Sequence, residues 1–356
     1  MTHGSLLLLG LSGPELTPDE ETLFRKLKPA GYILFTRNIV TAEQTRRLTD
    51  RLRDLSIDPP ILAIDQEGGR VTRTREIAPA PPAPPALAAT GDMRKIAEAG
   101  ALTGDLLRML GFNLNLAPVL DLDHFPEAQN ALPGRCWGRD PQRVIDHAGQ
   151  WNRWLRKRSV ASCAKHFPAG GRAQSDPHHD FPSSDATLTE LLREDIIPYT
   201  ALMPELDAIM LAHVEFPNID PGFPASLSSK IVTQILRNQL GFDRHLVLTD
   251  DLDMDAIARR YGRGPDAKLA IQAGNDLAMI CHRLESATVA AEAIGELPHC
   301  VLDEAEERVE RFRRKLQSPV TWSEQKWDGI CSALLKLTSD YPEPIANSIS
   351  SPVQNY

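Results

Sequence analysis

The chain has 356 residues, enough for two ordinary domains or one large α/β barrel. Hydrophobic residues make up 42% and charged residues 24%, which supports a sizeable buried core and excludes global disorder. Lys and Arg number 39 against 48 Asp and Glu, a net charge of -9 that repels phosphate backbones and argues against a nucleic-acid partner.

Short apolar runs recur along the chain, each followed by a stretch with helix punctuation. The first, around Ser5–Leu11, has no basic residue before it and is too short for a signal segment. No run reaches the ~20 residues that span a bilayer, so no membrane association is expected. Strands are expected at about 5–11, 31–36, 61–65, 112–119, 160–166, 207–213, 246–250 and 275–280. Runs such as Tyr32-Ile33-Leu34-Phe35 and Leu246-Val247-Leu248 are continuously apolar, as parallel strands covered on both faces should be.

Between them, Thr17-Pro18 with Glu20 offers an N-cap, a first-turn proline and a capping-box acid. Thr41 with Gln44 and Thr187 with Glu190 repeat the capping box. Asp140-Pro141 opens a helix with Val144, Ile145, Ala148, Trp151 and Leu155 on one face. Gly241 is expected to close the helix before it. Eight strands alternating with helices is the count of a closed (β/α)8 barrel, a single α/β domain of the TIM type. An open doubly wound sheet would need a glycine-rich phosphate turn, for which Gly10-Leu11-Ser12-Gly13 is a weak candidate.

Connections after the third, fourth and fifth strands are long, at about 66–92, 120–139 and 167–186. Long loops at strand C-termini are what a barrel's active face requires. The barrel is expected to occupy residues 1–317, with a C-terminal helical segment and tail over 318–356 packed on it or fraying from it. The five cysteines are scattered and form no CxxC pair, so neither structural zinc nor a disulfide framework is expected, and the cytoplasm is the default compartment.

Charge appears where the apolar strands end. Asp65 ends the third strand, Lys165 and His166 the fifth, His213 the sixth, Asp250 and Asp251 the seventh. Side chains at the C-terminal ends of different barrel strands can converge on one site. A carboxylate there can serve as nucleophile, base or metal ligand. Within the fifth loop, Asp176-Pro177-His178-His179-Asp180 sets carboxylates beside imidazoles. Such a cluster suits a general acid/base, a divalent metal or an ordinary hydrated loop. Gly68-Gly69 permits close backbone approach, and Arg70, Arg73 and Arg135 can donate to oxygens of a ligand.

Asp65-Gln66-Glu67-Gly68-Gly69-Arg70-Val71 with Arg73, Leu116-Ala117-Pro118-Val119-Leu120-Asp121, Lys165-His166-Phe167-Pro168, Thr249-Asp250-Asp251-Leu252 with Met254, and Ala273-Gly274-Asn275-Asp276 occur in this order. As an ordered set they resemble the family 3 glycoside hydrolases, in particular the single-domain bacterial β-N-acetylglucosaminidases of cell-wall recycling. The resemblance covers roughly residues 5–300. It implies a (β/α)8 barrel and a retaining double displacement without cofactor or metal. It implies Asp250 as nucleophile, His178 paired with Asp176 as acid/base, and substrate contacts from Asp65, Arg73, Arg135, Lys165 and His166. It further implies a cytoplasmic monomer whose partner is a small carbohydrate, an N-acetylglucosaminyl–anhydromuramyl peptide.

Two stretches depart from the family pattern. Ala169-Gly170-Gly171 stands where the family has Gly-His-Gly, and Asn130 to Gly138 differs around Arg135. They leave room for a family 3 glycosidase or phosphorylase of another sugar preference, or for a catalytically silent sugar-binding barrel.

Overall fold

A computed structural model describes residues 3–126, 131–173 and 182–341. Eight parallel strands close on themselves: β1 (Leu7–Leu9), β2 (Gly31–Leu34), β3 (Ile61–Ile64), β4 (Leu114–Asn115), β5 (Ala161–Phe167), β6 (Ala208–Leu211), β7 (Leu246–Asp251) and β8 (Leu277–Ile280). Closure is made by β1, which pairs with β8 through Leu7–Ala278 and with β2 through Leu8–Gly31. The open doubly wound alternative is thereby excluded; the chain folds as a single (β/α)8 barrel.

The strands are apolar on both faces because both faces are covered. Leu7 to Leu9, Ile61 to Ile64 and Leu277 to Ile280 are all buried, half of each run filling the barrel and half packing on the outer helices. The helices begin where the capping residues stand. Thr17 and Thr187 both form complete capping boxes with Glu20 and Glu190. At Thr41 only half the box forms: its side chain accepts from the Gln44 N–H, whereas the Gln44 amide turns to Val40 N and Pro14 O. The helix Pro141–Arg156 buries Val144, Ala148, Trp151 and Leu155, with Ile145 at the margin.

The fourth strand is shorter than its apolar run. Pro118 has no N–H to donate, and past Asn115 the pairing with β5 continues as isolated contacts, Cys163 N to Ala117 O, Lys165 N to Pro118 O and Leu120 N to Lys165 O. Past the barrel, the helix Glu324–Ser339 packs on Met93–Leu110, burying Trp327, Leu334 and Leu337. Among the described residues no helix is long and apolar enough to cross a membrane.

Candidate active site

One cavity opens at the C-terminal ends of the strands, and Asp65, Arg73, Arg135, Lys165, His166, His213, Asp250 and Asp251 all line it. The strand-end residues thus meet, although up to 186 positions separate them (251 minus 65). Asp176 and His178 lie outside the described residues.

The wall built from β3 and β5 is a closed charge network. Residues 65 and 67 leave the end of β3 and share the buried Lys165 ammonium, which reaches Asp65 Oδ1 at 2.6 Å and Glu67 Oε1 at 2.7 Å. Glu67 also takes the Arg135 guanidinium in a two-pronged grip, 2.8 Å from Nε and 2.7 Å from the terminal nitrogen. Burial alone would raise the Glu67 pKa, but Arg135 and Lys165 outweigh it and hold the carboxyl below its ordinary value. The same carboxylates overcome the burial penalty on Lys165 and raise its pKa. Arg73 approaches Asp65 at 3.5 Å.

Gln66 fixes this corner. It exchanges hydrogen bonds with Asn115 of β4, while its side chain accepts from Arg73 N and donates to Thr74. Gly68 and Gly69 both take positive φ, and a Cβ on Gly68 would sit 2.5 Å from the Pro82 carbonyl oxygen. The proline-rich segment Pro79-Ala80-Pro81-Pro82-Ala83-Pro84-Pro85 therefore lies directly against the turn that carries Glu67. Arg70 donates to Pro133 O at 2.8 Å, tying the same turn to the segment that carries Arg135.

Asp121, after β4, organises His166. It accepts from His166 Nδ1 at 2.7 Å, from His166 N at 3.0 Å and from Gly171 N at 3.1 Å. A carboxylate can only accept, so the Nδ1 proton is fixed, and Nε2 turns toward Arg135 at 3.5 Å and Asp250 Oδ2 at 4.0 Å. The departure at Ala169-Gly170-Gly171 is accommodated here. Ala169 has φ of -169°, extended backbone open to any residue, whereas a Cβ on Gly171 would lie 2.2 Å from the Leu122 carbonyl oxygen.

The opposite wall comes from β7, β8 and β2. Asp250 Oδ1 accepts from the next amide, Asp251 N, at 2.8 Å. Burial would raise the Asp250 pKa, yet His166, the Asp251 N–H and Lys165 hold it below the ordinary value, so the group stands ready as an anion. Asp251 behaves oppositely: burial and the nearby Asp253 carboxylate push it up to about 8. His282 Nε2 lies 3.4 Å from Asp251 Oδ2, and its Nδ1 must accept from Arg37, 3.1 Å away, because a guanidinium only donates. Burial, with Arg37 adding repulsion, lowers the His282 pKa to about 4. Phe35, Met254 and Met279 complete this side with apolar surface.

Among the described residues, His124, Glu194 and Asp195 come close enough to share an ion. Arg172 already bridges the two carboxylates, at 2.5 Å and 2.7 Å, and His124 bonds Asp195 at 2.7 Å, so their charge is met by protein.

A barrel whose mouth gathers ionised carboxylates, a buried ammonium and fixed imidazoles is built as an enzyme site. The model of the glycosyl hydrolase family 3 N-terminal domain matches residues 9–312. A β-hexosaminidase of Pseudomonas aeruginosa is 34% identical over 330 residues, 92% of this chain and 97% of that protein. The solved β-N-acetylglucosaminidase of family 3 from Paenibacillus sp. FPU-7 superposes with a TM-score of 0.87 at 32% identity, over 95% of this chain and 67% of that one. NagZ from Neisseria gonorrhoeae superposes with a TM-score of 0.80 at 26% identity, over 93% and 97%. The chain belongs to glycosyl hydrolase family 3.

Glu67, Asp121, Arg37 and His282 belong to the site although sequence reading gave them no role. Glu67 lies two residues from Asp65, the spacing that returns an extended chain to the same face. Arg37 and His282 lie three and two residues past the ends of β2 and β8, so the strand-end rule applied to every strand finds them. Asp121 has no such signal beyond its place after an apolar run.

Proposed function

We propose that this glycoside hydrolase is a retaining exo-β-N-acetylglucosaminidase that releases terminal N-acetylglucosamine from peptidoglycan-derived N-acetylglucosaminyl–anhydromuramyl fragments. The observation that carries the reading is the Asp250 carboxylate, held ionised at the end of β7 across the cavity from Asp65, Lys165 and His166. The similarity to a β-hexosaminidase over nearly its whole length supports the sugar class.

In this reading Asp250 attacks the anomeric carbon while the bond to the leaving oxygen breaks, giving a glycosyl ester on the Asp250 side chain. His178, oriented by Asp176, donates the proton that the leaving oxygen takes. It then removes a proton from water, which displaces the Asp250 carboxylate and frees the sugar. A neutral imidazole used as base adds no negative charge beside an anionic aglycone. Asp65, Arg73, Arg135, Lys165 and His166 hold the sugar hydroxyls. Lys165 spends two donors on Asp65 and Glu67 and keeps a third.

The test is turnover of a chromogenic N-acetyl-β-glucosaminide and of a disaccharide–peptide fragment. The reading expects release of N-acetylglucosamine from both, lost in Asp250→Ala and in His178→Ala for substrates with poor leaving groups. Binding without turnover, or turnover indifferent to Asp250→Ala, would overturn it.

A further inference from the structure

His213 lies two residues past the end of β6 in the cavity wall that holds Asp250, buried, and both its ring nitrogens are engaged by different parts of the chain. Nε2 lies 3.0 Å from the Asp251 carbonyl oxygen, and Nδ1 lies 2.7 Å from the Ser226 hydroxyl. A carbonyl only accepts, so Nε2 carries the proton. Burial lowers the proton affinity of the ring, which favours the neutral imidazole, and in that form Nδ1 is a lone pair that Ser226 fills with its hydroxyl proton. Ser226 has little freedom to do otherwise. Its N–H goes to Ala212 O at 3.1 Å, and its carbonyl accepts from Asn275 at 2.8 Å.

Residue 251 is therefore gripped at both backbone groups. Its carbonyl accepts from His213 and, at 3.1 Å, from the Met254 N–H, and its N–H is given to Asp250 Oδ1. Turning that residue would swing the N–H away from the Asp250 carboxylate and let the carboxylate rotate. An attacking oxygen must sit within about 3–3.5 Å of its carbon and in line, and an ångström of misplacement costs about 100-fold in rate.

We propose that His213 is a positioning residue for the nucleophile, acting through the Asp251 backbone, and that Ser226 selects the tautomer in which it acts. This rests on the reading of Asp250 as nucleophile. It gives Asn275, part of the Ala273-Gly274-Asn275-Asp276 motif, a place in the same chain of contacts: Asn275 holds the Ser226 backbone, Ser226 sets the His213 proton, and His213 holds residue 251. A histidine that merely satisfied a buried carbonyl would affect folding and leave the chemistry of folded molecules alone.

The experiment uses the full chain in four forms: wild type, His213→Ala, His213→Gln and Ser226→Ala. Each is tested for kcat, for the rate of covalent trapping by a fluorinated N-acetylglucosaminyl donor, and for the Kd of N-acetylglucosamine. His213→Ala is expected to lower kcat and trapping rate about 100-fold while Kd stays within about twofold. His213→Gln, whose amide can donate to the same carbonyl, should recover at least about tenfold of that loss. Ser226→Ala frees the tautomer and should slow trapping about fivefold at unchanged Kd.

Trapping in His213→Ala at the wild-type rate, no recovery in His213→Gln, or a loss mirrored in Kd would overturn the inference. If His213→Ala does not fold, Ser226→Ala decides: fivefold slower trapping supports the inference and unchanged trapping sinks it. Mass mapping of the wild-type adduct separates this from the underlying reading, because an adduct on a residue other than Asp250 removes the reading itself.

Discussion

Two buried carboxylate–cation networks sit at opposite ends of the barrel. At the mouth, Asp65 and Glu67 share Lys165, and Glu67 takes Arg135. At the base, Asp276 accepts from Arg237 at 2.9 Å, from Arg308 at 2.6 Å and from Val247 N at 2.8 Å. Chemically they are alike: buried anions, each compensated by two cations. They differ in what they face. The mouth network lines a cavity, whereas Asp276 sits where β8 begins and binds the helix residues Arg237 and Arg308 to the barrel floor. A buried ion network is thus no signature of function by itself; the strand end on which it sits decides.

The largest expected effect falls on a residue that belongs to neither network. Asp250→Asn removes the anion proposed to attack the sugar and should lower kcat by about 10,000-fold or more, with the midpoint of thermal unfolding nearly unchanged. A variant that keeps a tenth of wild-type turnover would break the distinction between chemistry and scaffold.

Glu67→Ala should lose both properties. It strands Lys165 and Arg135 as buried, half-paired cations, costing about 3–5 kcal/mol in urea unfolding, and it releases two groups beside the sugar site, costing about 100-fold in kcat/KM. Asp276→Ala should cost a similar 3–5 kcal/mol, while the molecules that remain folded keep kcat/KM within about threefold. Equal losses of activity in the two variants would erase the contrast between mouth and base.

A smaller effect comes from Asp251. Its native pKa, pushed up to about 8, lies above the unfolded value, so the folded chain holds a proton that the unfolded chain has released. Stability from this group is present at low pH and is lost as pH rises toward 8. His282, lowered to about 4, contributes the opposite slope, but only between its native pKa and the ordinary histidine value near 6.5. Above pH 6.5 the His282 contribution fades, and comparison with Asp251→Asn isolates the Asp251 contribution. Between pH 6.5 and 8 the wild type should lose about 1.5 kcal/mol relative to Asp251→Asn, measured by urea unfolding at each pH. A flat difference would show that Asp251 is ionised throughout.

The legible part of this molecule is the part where one residue type interrupts another. Asp65, Lys165, His166 and Asp250 stand out because continuously apolar runs end on them, and the barrel brings strand ends together whatever the loops do. Glu67 and Asp121 are less visible because their work is to bind other side chains. Glu67 meets Arg135 across 68 positions and Asp121 meets His166 across 45, pairings that only the closed strand order supplies. The apolar run around β4 overstated the strand because a proline without an N–H interrupts it. Ala169 replaces a glycine without strain because its backbone is extended, which no residue count reveals.

The account turns on Asp250 carrying the sugar during the reaction. Treating the wild-type chain with a fluorinated N-acetylglucosaminyl donor, digesting it and sequencing the modified peptide by mass spectrometry tests this most directly. The expected result is a single glycosyl adduct on Asp250 within the peptide that contains Thr249-Asp250-Asp251. An adduct on any other side chain, or substrate turnover with no adduct under any trapping condition, would contradict it.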